Sequence, residues 1–464
     1  MNPGNASTPA DLRPGRGFLP LLRTVREART SSVAVAAAVG GAAGLSFIGA
    51  DSRWVAALGD TIVERREIPE GVPYASAPTD GWDNVLVVAQ LLFHWFAEFG
   101  DQGVLAAQLV AVACAFVLLA AGARREGATD GSTALVLIAV AVGALTSLVV
   151  IRLQLFSLAF FPALLLLLRA ETAESSRRIW LIPPLLAIWG NLHGAVLVGY
   201  AVVSAYLVLS RLRLQPRTAV GVWATSTLAL LATPELLETL DYYRGVLTNE
   251  AARRGVGLWA PLTISSPFDV VFVCVAAALI ALAARARPQL WEFVVLAGLA
   301  FLTVRTARSG VWLLFAAAAP AARGFTLRQA LHPRIAAALA AALLVVTTLA
   351  FVRGPRSTGA GERVLATALG AAAGTPILAQ DVLAEQVALG GGRIWVGNPL
   401  DAFSHANQRL YLDWHEGRAA GDAALRHAPR VVLVHPGSAS DLRIRASGRL
   451  RELARDEHAV AYGR

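Results

Sequence analysis

The sequence has no lysine; its 41 basic residues are all arginine. That absence reads as a compositional bias of the coding sequence, and it leaves arginine to mark every basic position. Charge of either sign is scarce. Only 16% of residues are charged, against about 25% for a soluble globular chain. Two cysteines, Cys114 and Cys274, are too few for a disulfide framework. Both fall within apolar runs, where they are expected as buried small hydrophobes. The net charge of +9 would suit nucleic acid. The arginines, however, cluster beside apolar runs as topology signals, which excludes a nucleic-acid partner.

What is present is apolar. Hydrophobic residues make up 56% of the 464-residue chain, and mean hydropathy is +0.55. They gather in runs of roughly 16–20, the length that crosses a bilayer core. Eleven candidate spans follow: 31–50, 103–121, 133–151, 154–168, 179–192, 194–210, 218–233, 268–284, 290–304, 309–322 and 335–352. The fold class is therefore an α-helical polytopic membrane protein with about eleven transmembrane helices. Residues 1–30 form a polar, basic tail, and the run after them is expected to be a retained first helix, not a cleaved signal peptide.

Placing that tail in the cytoplasm puts Arg124/Arg125, Arg177/Arg178, Arg211/Arg213/Arg217, Arg285/Arg287 and Arg323/Arg328/Arg334 on the same side. Loops 51–102 and 234–267 then lie outside, as does everything after residue 352. The polar residues without a topological role collect on that outer face, and polar groups at membrane depth mark cavities.

Asp51 follows the first span directly. It could act as a general base, or it could cap a helix or pair with Arg53. Asp60 and Asp83 lie further along the same loop. Val85–Phe99 is expected as a helix lying along the membrane surface. Arg152, in the stretch Arg152–Ser157, could hold a phosphate or snorkel to the interface. His193 sits in Gly190-Asn191-Leu192-His193-Gly194 and could donate to a phosphate, or be a hydrogen-bonded turn residue. Arg305 and Arg308 are spaced i, i+3, which predicts one helix face. The 234–267 loop is expected to cap the resulting pocket.

These landmarks, taken in order, resemble the GT-C-type polytopic glycosyltransferase superfamily, particularly bacterial members with an extracytoplasmic C-terminal domain. The stretch Asp51-Ser52-Arg53-Trp54, with Gly59 and Ile68-Pro69, is similar to the family's first-loop opening. Arg152-Leu153-Gln154-Leu155-Phe156-Ser157 and Asn191-Leu192-His193-Gly194 match two later motifs, and Arg305 and Arg308 match an arginine-rich entry to a late span. Some positions depart. Val55 stands where the family has histidine, Asp83–Val87 replaces a His-Glu-Trp-like segment, and only Trp259 and Pro261 remain of a late-loop motif.

The resemblance implies a bacterial plasma-membrane enzyme. It would transfer a sugar from a polyprenyl-phosphate donor to an extracytoplasmic acceptor, a cell-envelope glycan or glycoprotein. Asp51 would be the base. Arg152, Gln154, Asn191, His193, Arg305 and Arg308 would hold the donor, with Asp60 and Asp83 as additional acids. No metal-ligand spacing assigns a cofactor, although some relatives use a divalent ion. Two other readings stand beside it: a catalytically inactive relative that binds lipid-linked glycan or scaffolds an envelope assembly, and a transporter or flippase. No clear repeat supports the last, and Pro183-Pro184 is the main break within a span.

Residues 353–464 read as a small soluble α/β domain. Strands are expected at 375–380, 393–396, 430–435 and 458–462, and helices at 363–373, 382–389, 405–415, 419–427 and 441–455.

Overall fold

The computed structural model describes residues 28–427 and 430–464. Of the expected N-terminal tail, only residues 28–30 lie inside the described part. Each of the eleven apolar runs is helical, but unequally so. Among the described residues, four helices are long and apolar enough to cross a membrane: Gly100–Arg125, Leu155–Ala173, Pro267–Arg285 and Pro333–Arg353. The last has only 11% of its apolar window buried within the protein. So much uncovered apolar surface needs a non-aqueous cover, the mark of a membrane protein.

The remaining runs are shorter or interrupted. Run 133–151 divides into helices Asp130–Gly143 and Leu145–Val149 and a two-residue strand, Val150–Ile151. Run 179–192 begins with the 3₁₀ turn Arg177–Leu181 and continues as helix Ile182–Gly190. Pro183-Pro184 therefore opens a helix, where a missing N–H costs nothing. The prolines inside helices are Pro162 and Pro320. Cys114 and Cys274 are exposed and free, not buried. They face outward on two of the long helices, where an apolar side chain suits a lipid-facing surface.

The loop after helix Arg29–Leu45 is built and not loose. Phe47–Ile48 (β1) pairs in parallel with Val150–Ile151 (β2). Helix Ser52–Arg65 packs on helix Val87–Ala97 through Gly59, where a Cβ would sit 2.3 Å from the Gln90 carbonyl oxygen. Those two atoms would overlap, so the position requires glycine.

The C-terminal domain is a four-stranded sheet in the order β3 (Ile377–Ala379), β4 (Val431–Val434), β6 (Val460–Gly463), β5 (Arg451–Arg455). β3 and β4 run parallel, and the other pairs are antiparallel. Helices Glu362–Ala372, Asp381–Leu389, His405–His415 and Ala439–Ser447 pack around it. Two expectations are corrected. Segment 393–396 forms only isolated bridges, from Ile394 to Ala75 and to Ile377. The helix expected over 441–455 ends at Ser447, where Gly448 takes φ +60°, and the chain returns as β5. A glycine in that conformation stops a helix by closing its last turn.

The domain is tied to the bundle at several places. The Arg356 N–H donates to the Ser46 carbonyl (2.8 Å), and Thr358 Oγ1 donates to the Ile48 carbonyl (3.0 Å). Ile394 exchanges backbone bonds with Tyr74 and Ser76. From helix Glu250–Arg254, Glu250 meets His405 and Arg409, both at 3.1 Å, and Arg254 meets Asp413 at 2.9 Å.

Candidate functional site

Where the bundle meets this domain lies a cavity of about 990 Å³. From the bundle, Asp51, Arg152, Gln154, His193 and Arg308 line it. Residues 242–259 supply Tyr242, Tyr243 and Trp259, so the 234–267 loop does cover the pocket. The C-terminal domain adds Asp381, Asp401, His415, Glu416 and His435.

The β1–β2 pair explains how Asp51 and Arg152 come together across a hundred residues. Its register sets Ile48 beside Ile151, one residue before Arg152. The Gly49 N–H and Ser52 Oγ–H then donate to the same Ile151 carbonyl, at 3.1 and 2.6 Å. Asp51 is left at φ +81°, a conformation that costs a non-glycine residue roughly 1–2 kcal/mol. It is held there by Glu385 of the C-terminal domain. The Asp51 and Arg53 N–H groups donate to the two Glu385 carboxylate oxygens at 2.9 and 3.3 Å. These are orphan donors at the start of helix Ser52–Arg65, now capped by a distant carboxylate. Asn398 Nδ2 adds a bond of 2.8 Å. Burial pushes the Glu385 carboxyl up to about 7, with the nearby Asp51 charge acting the same way. The Asp51 side chain accepts from the Trp54 indole N–H (3.1 Å).

Arg152 is buried, and its Nε has no partner among the described residues. Gln154 Nε2 and the Tyr243 hydroxyl, also buried, are likewise unpartnered. A buried donor without an acceptor is costly unless a ligand supplies one. Arg308 lies over the Trp259 ring, 3.9 Å from its centre. Burial, with Arg152 close by, draws the Arg308 guanidinium down to about 10.

The His193 tautomer follows from its neighbours. The Trp189 indole N–H donates to Ser157 Oγ (2.7 Å), so the Ser157 proton points to His193 Nδ1 (2.7 Å). The Ala195 N–H also reaches Nδ1 (3.4 Å). The ring hydrogen is therefore on Nε2. Burial, then Arg308 and Arg152, hold the imidazole down to about 3, so it is neutral and an Nε2–H donor at physiological pH.

Four residues expected at the site lie off the cavity. Asp60 pairs with His94 Nδ1 at 2.5 Å. Asp83 faces Glu235, Asp241 and Glu238; burial chiefly, then those charges, raise its carboxyl. Asn191 uses its amide on the Ala187 and Ala232 carbonyls, at 2.9 and 2.6 Å. Arg305 is exposed, and the shared helix face predicted for it and Arg308 is corrected. The helix ends at Arg305, Thr306 is extended, and Arg308 belongs to a separate 3₁₀ turn. Among the described residues no group of three or more His, Cys, Asp or Glu side chains is placed to hold a metal ion.

Sequence reasoning missed Glu385, Asp381, His415, His435 and Asp401, whereas Tyr242 and Tyr243 belong to the loop expected to cap the pocket. Glu385 alone carried a signal, a carboxylate among Leu383, Ala384, Val387 and Ala388 on the buried side of its helix. No protein-family model matches the chain, and no curated protein matches its sequence.

Proposed function

We propose that the protein is a membrane glycosyltransferase of the GT-C type, using a polyprenyl-phosphate sugar and an acceptor hydroxyl. Asp51 takes the acceptor proton as the acceptor oxygen attacks the anomeric carbon. The bond from that carbon to the phosphate oxygen breaks, and polyprenyl phosphate leaves with the electron pair. Arg152, Arg308 and the His193 Nε2–H receive the developing charge; such preorganised donors are worth the most where charge appears. In this reading the chain crosses a bacterial plasma membrane eleven times, with its N-terminus cytoplasmic. The cavity and residues 353–464 then lie outside.

The observation that carries the reading is one cavity holding a strained aspartate beside a buried arginine, Arg152, whose Nε has no partner among the described residues. The test is reconstitution with a panel of polyprenyl-phosphate sugars, comparing wild type with Asp51→Asn. Loss of a general base is expected to cost roughly 10²–10⁴-fold in rate. Undiminished transfer by Asp51→Asn removes Asp51 as the base. Absence of transfer from every donor, with inorganic phosphate still bound, favours the inactive, glycan-binding relative.

A further inference from the structure

The cavity has a second wall, and its chemistry differs from that of the arginine side. β3 and β4 are parallel, and both point their carboxyl ends at the cavity. Asp381 stands two residues past the end of β3, and His435 one residue past the end of β4. Ligands of open α/β sheets bind outside the carboxyl ends of the strands. Gln380 locks the two ends together. Its N–H donates to the Leu433 carbonyl (3.1 Å), and its Oε1 accepts from the His435 N–H (2.8 Å).

Asp381 takes φ +37°, a second cavity aspartate in the left-handed region, and such outliers gather where function requires them. Its Oδ2 meets His415 Nε2 at 2.8 Å. Its carboxylate stays open to solvent on the cavity side. His435 gives its Nδ1–H to the His458 carbonyl (2.9 Å), which leaves Nε2 as a bare acceptor. Glu416 is already matched by Arg418 (2.6 Å) and Arg254 (3.5 Å). Asp381 is thus matched by His415 and Glu416 by the two arginines, while the Asp401 carboxyl accepts from the Trp82 indole N–H (2.9 Å), and what the wall offers is hydrogen-bonding capacity. Tyr411 and Tyr242 supply flat apolar surface beside them. A neutral, hydroxyl-rich ligand suits such a wall, whereas a phosphate suits the opposite one.

We propose that Asp381, His415 and His435 form a saccharide-binding subsite for the hydroxyl-bearing acceptor, facing the phosphate-binding arginines across the cavity. The proposal rests on the glycosyl-transfer reading for the word acceptor, but the binding itself does not.

The test uses the full chain in detergent and two probes measured separately: inorganic phosphate by calorimetry, and a panel of neutral methyl hexosides by saturation-transfer NMR. Asp381→Asn is the main variant, because asparagine tolerates the left-handed backbone while losing the charge. His415→Gln is the second, and Asp422→Asn, on the domain surface, is the control. The expected result is at least one hexoside that binds wild type and the control and is weakened at least about tenfold in both cavity variants. That fold-change corresponds to about 1.4 kcal/mol. Hexoside binding that neither variant weakens overturns the subsite, as does no hexoside binding where phosphate still binds. Failure of phosphate itself to bind wild type counts against the proposed function instead.

Discussion

Two buried arginines separate the two kinds of region in this molecule. Arg211, 3% exposed, has every nitrogen of its guanidinium hydrogen-bonded. Its Nε donates to the Tyr206 hydroxyl (2.6 Å), Nη2 to the Glu171 carbonyl and carboxylate (2.6 and 2.8 Å), and Nη1 to Ser175. Arg152, 7% exposed, faces the cavity with its Nε unmatched. Burial is nearly the same, and the sequence pattern around each is that of a basic residue beside an apolar run. The difference is the census of partners. A satisfied buried charge belongs to the scaffold, and an unsatisfied one waits for something the chain itself does not provide.

That contrast can be broken by mutation. The largest expected effect is Arg211→Ala. It strands Glu171 in the interior and should cost about 3–5 kcal/mol of stability, read as a large drop in melting temperature with phosphate affinity unchanged in the surviving folded protein. Arg152→Ala should do the opposite. Phosphate affinity should fall by about 2–5 kcal/mol, while the melting temperature holds or rises because a buried charge with an unmatched N–H is gone. Equal destabilisation by the two variants would erase the distinction.

Glu385 gives the next largest effect, and it depends on pH. Burial and the Asp51 charge hold its folded carboxyl up at about 7, against 4.5 for an unperturbed glutamate. Between those values the folded state holds a proton that the unfolded state has released, so stability falls as pH rises through the window. The clamp on the Asp51 and Arg53 N–H groups works the other way, because only the ionised carboxylate accepts both fully. Activity should therefore rise with pH towards and through 7 while thermal stability declines. Glu385→Gln should flatten the stability change over that range and lower turnover. Stability and rate that track together in wild type would contradict this assignment. The smallest effect is Trp259→Ala, which removes the ring under Arg308. It should weaken phosphate binding by about 0.5–2 kcal/mol, the range of a cation–π contact.

The helices of the bundle were legible in the sequence because each is encoded locally, in a run of apolar residues. The cavity was legible only in part. Asp51, Arg152, Gln154, His193 and Arg308 sit at the ends of apolar runs, where a polar residue without a topological role is conspicuous. Arg305 looked equivalent to Arg308 because spacing alone cannot show that a helix stops between them. Asp60 and Asn191 are consumed by local bonds to His94 and to two carbonyls, which needs three dimensions to see. The C-terminal wall was illegible for a different reason. Asp381 and His435 are far apart in sequence and come together because two parallel strands end side by side, and helix His405–His415 delivers His415 to Asp381 from a third segment. Glu385 reaches a backbone 334 residues away, and no periodicity encodes that.

The clasp at Phe47 also carries a statement about time. β1 is paired on one side with Val150 and on the other with Arg356, so its second neighbour is made some three hundred residues after it. During synthesis the first helices can settle long before the segment that closes over Ser46 and Ile48 exists. Glu385, which fixes Asp51, arrives later still. A chain halted after residue 352 would contain every apolar helix and yet lack the geometry of its own centre. The arrangement around Asp51 is therefore completed only once residue 385 has been made, after every helix of the bundle.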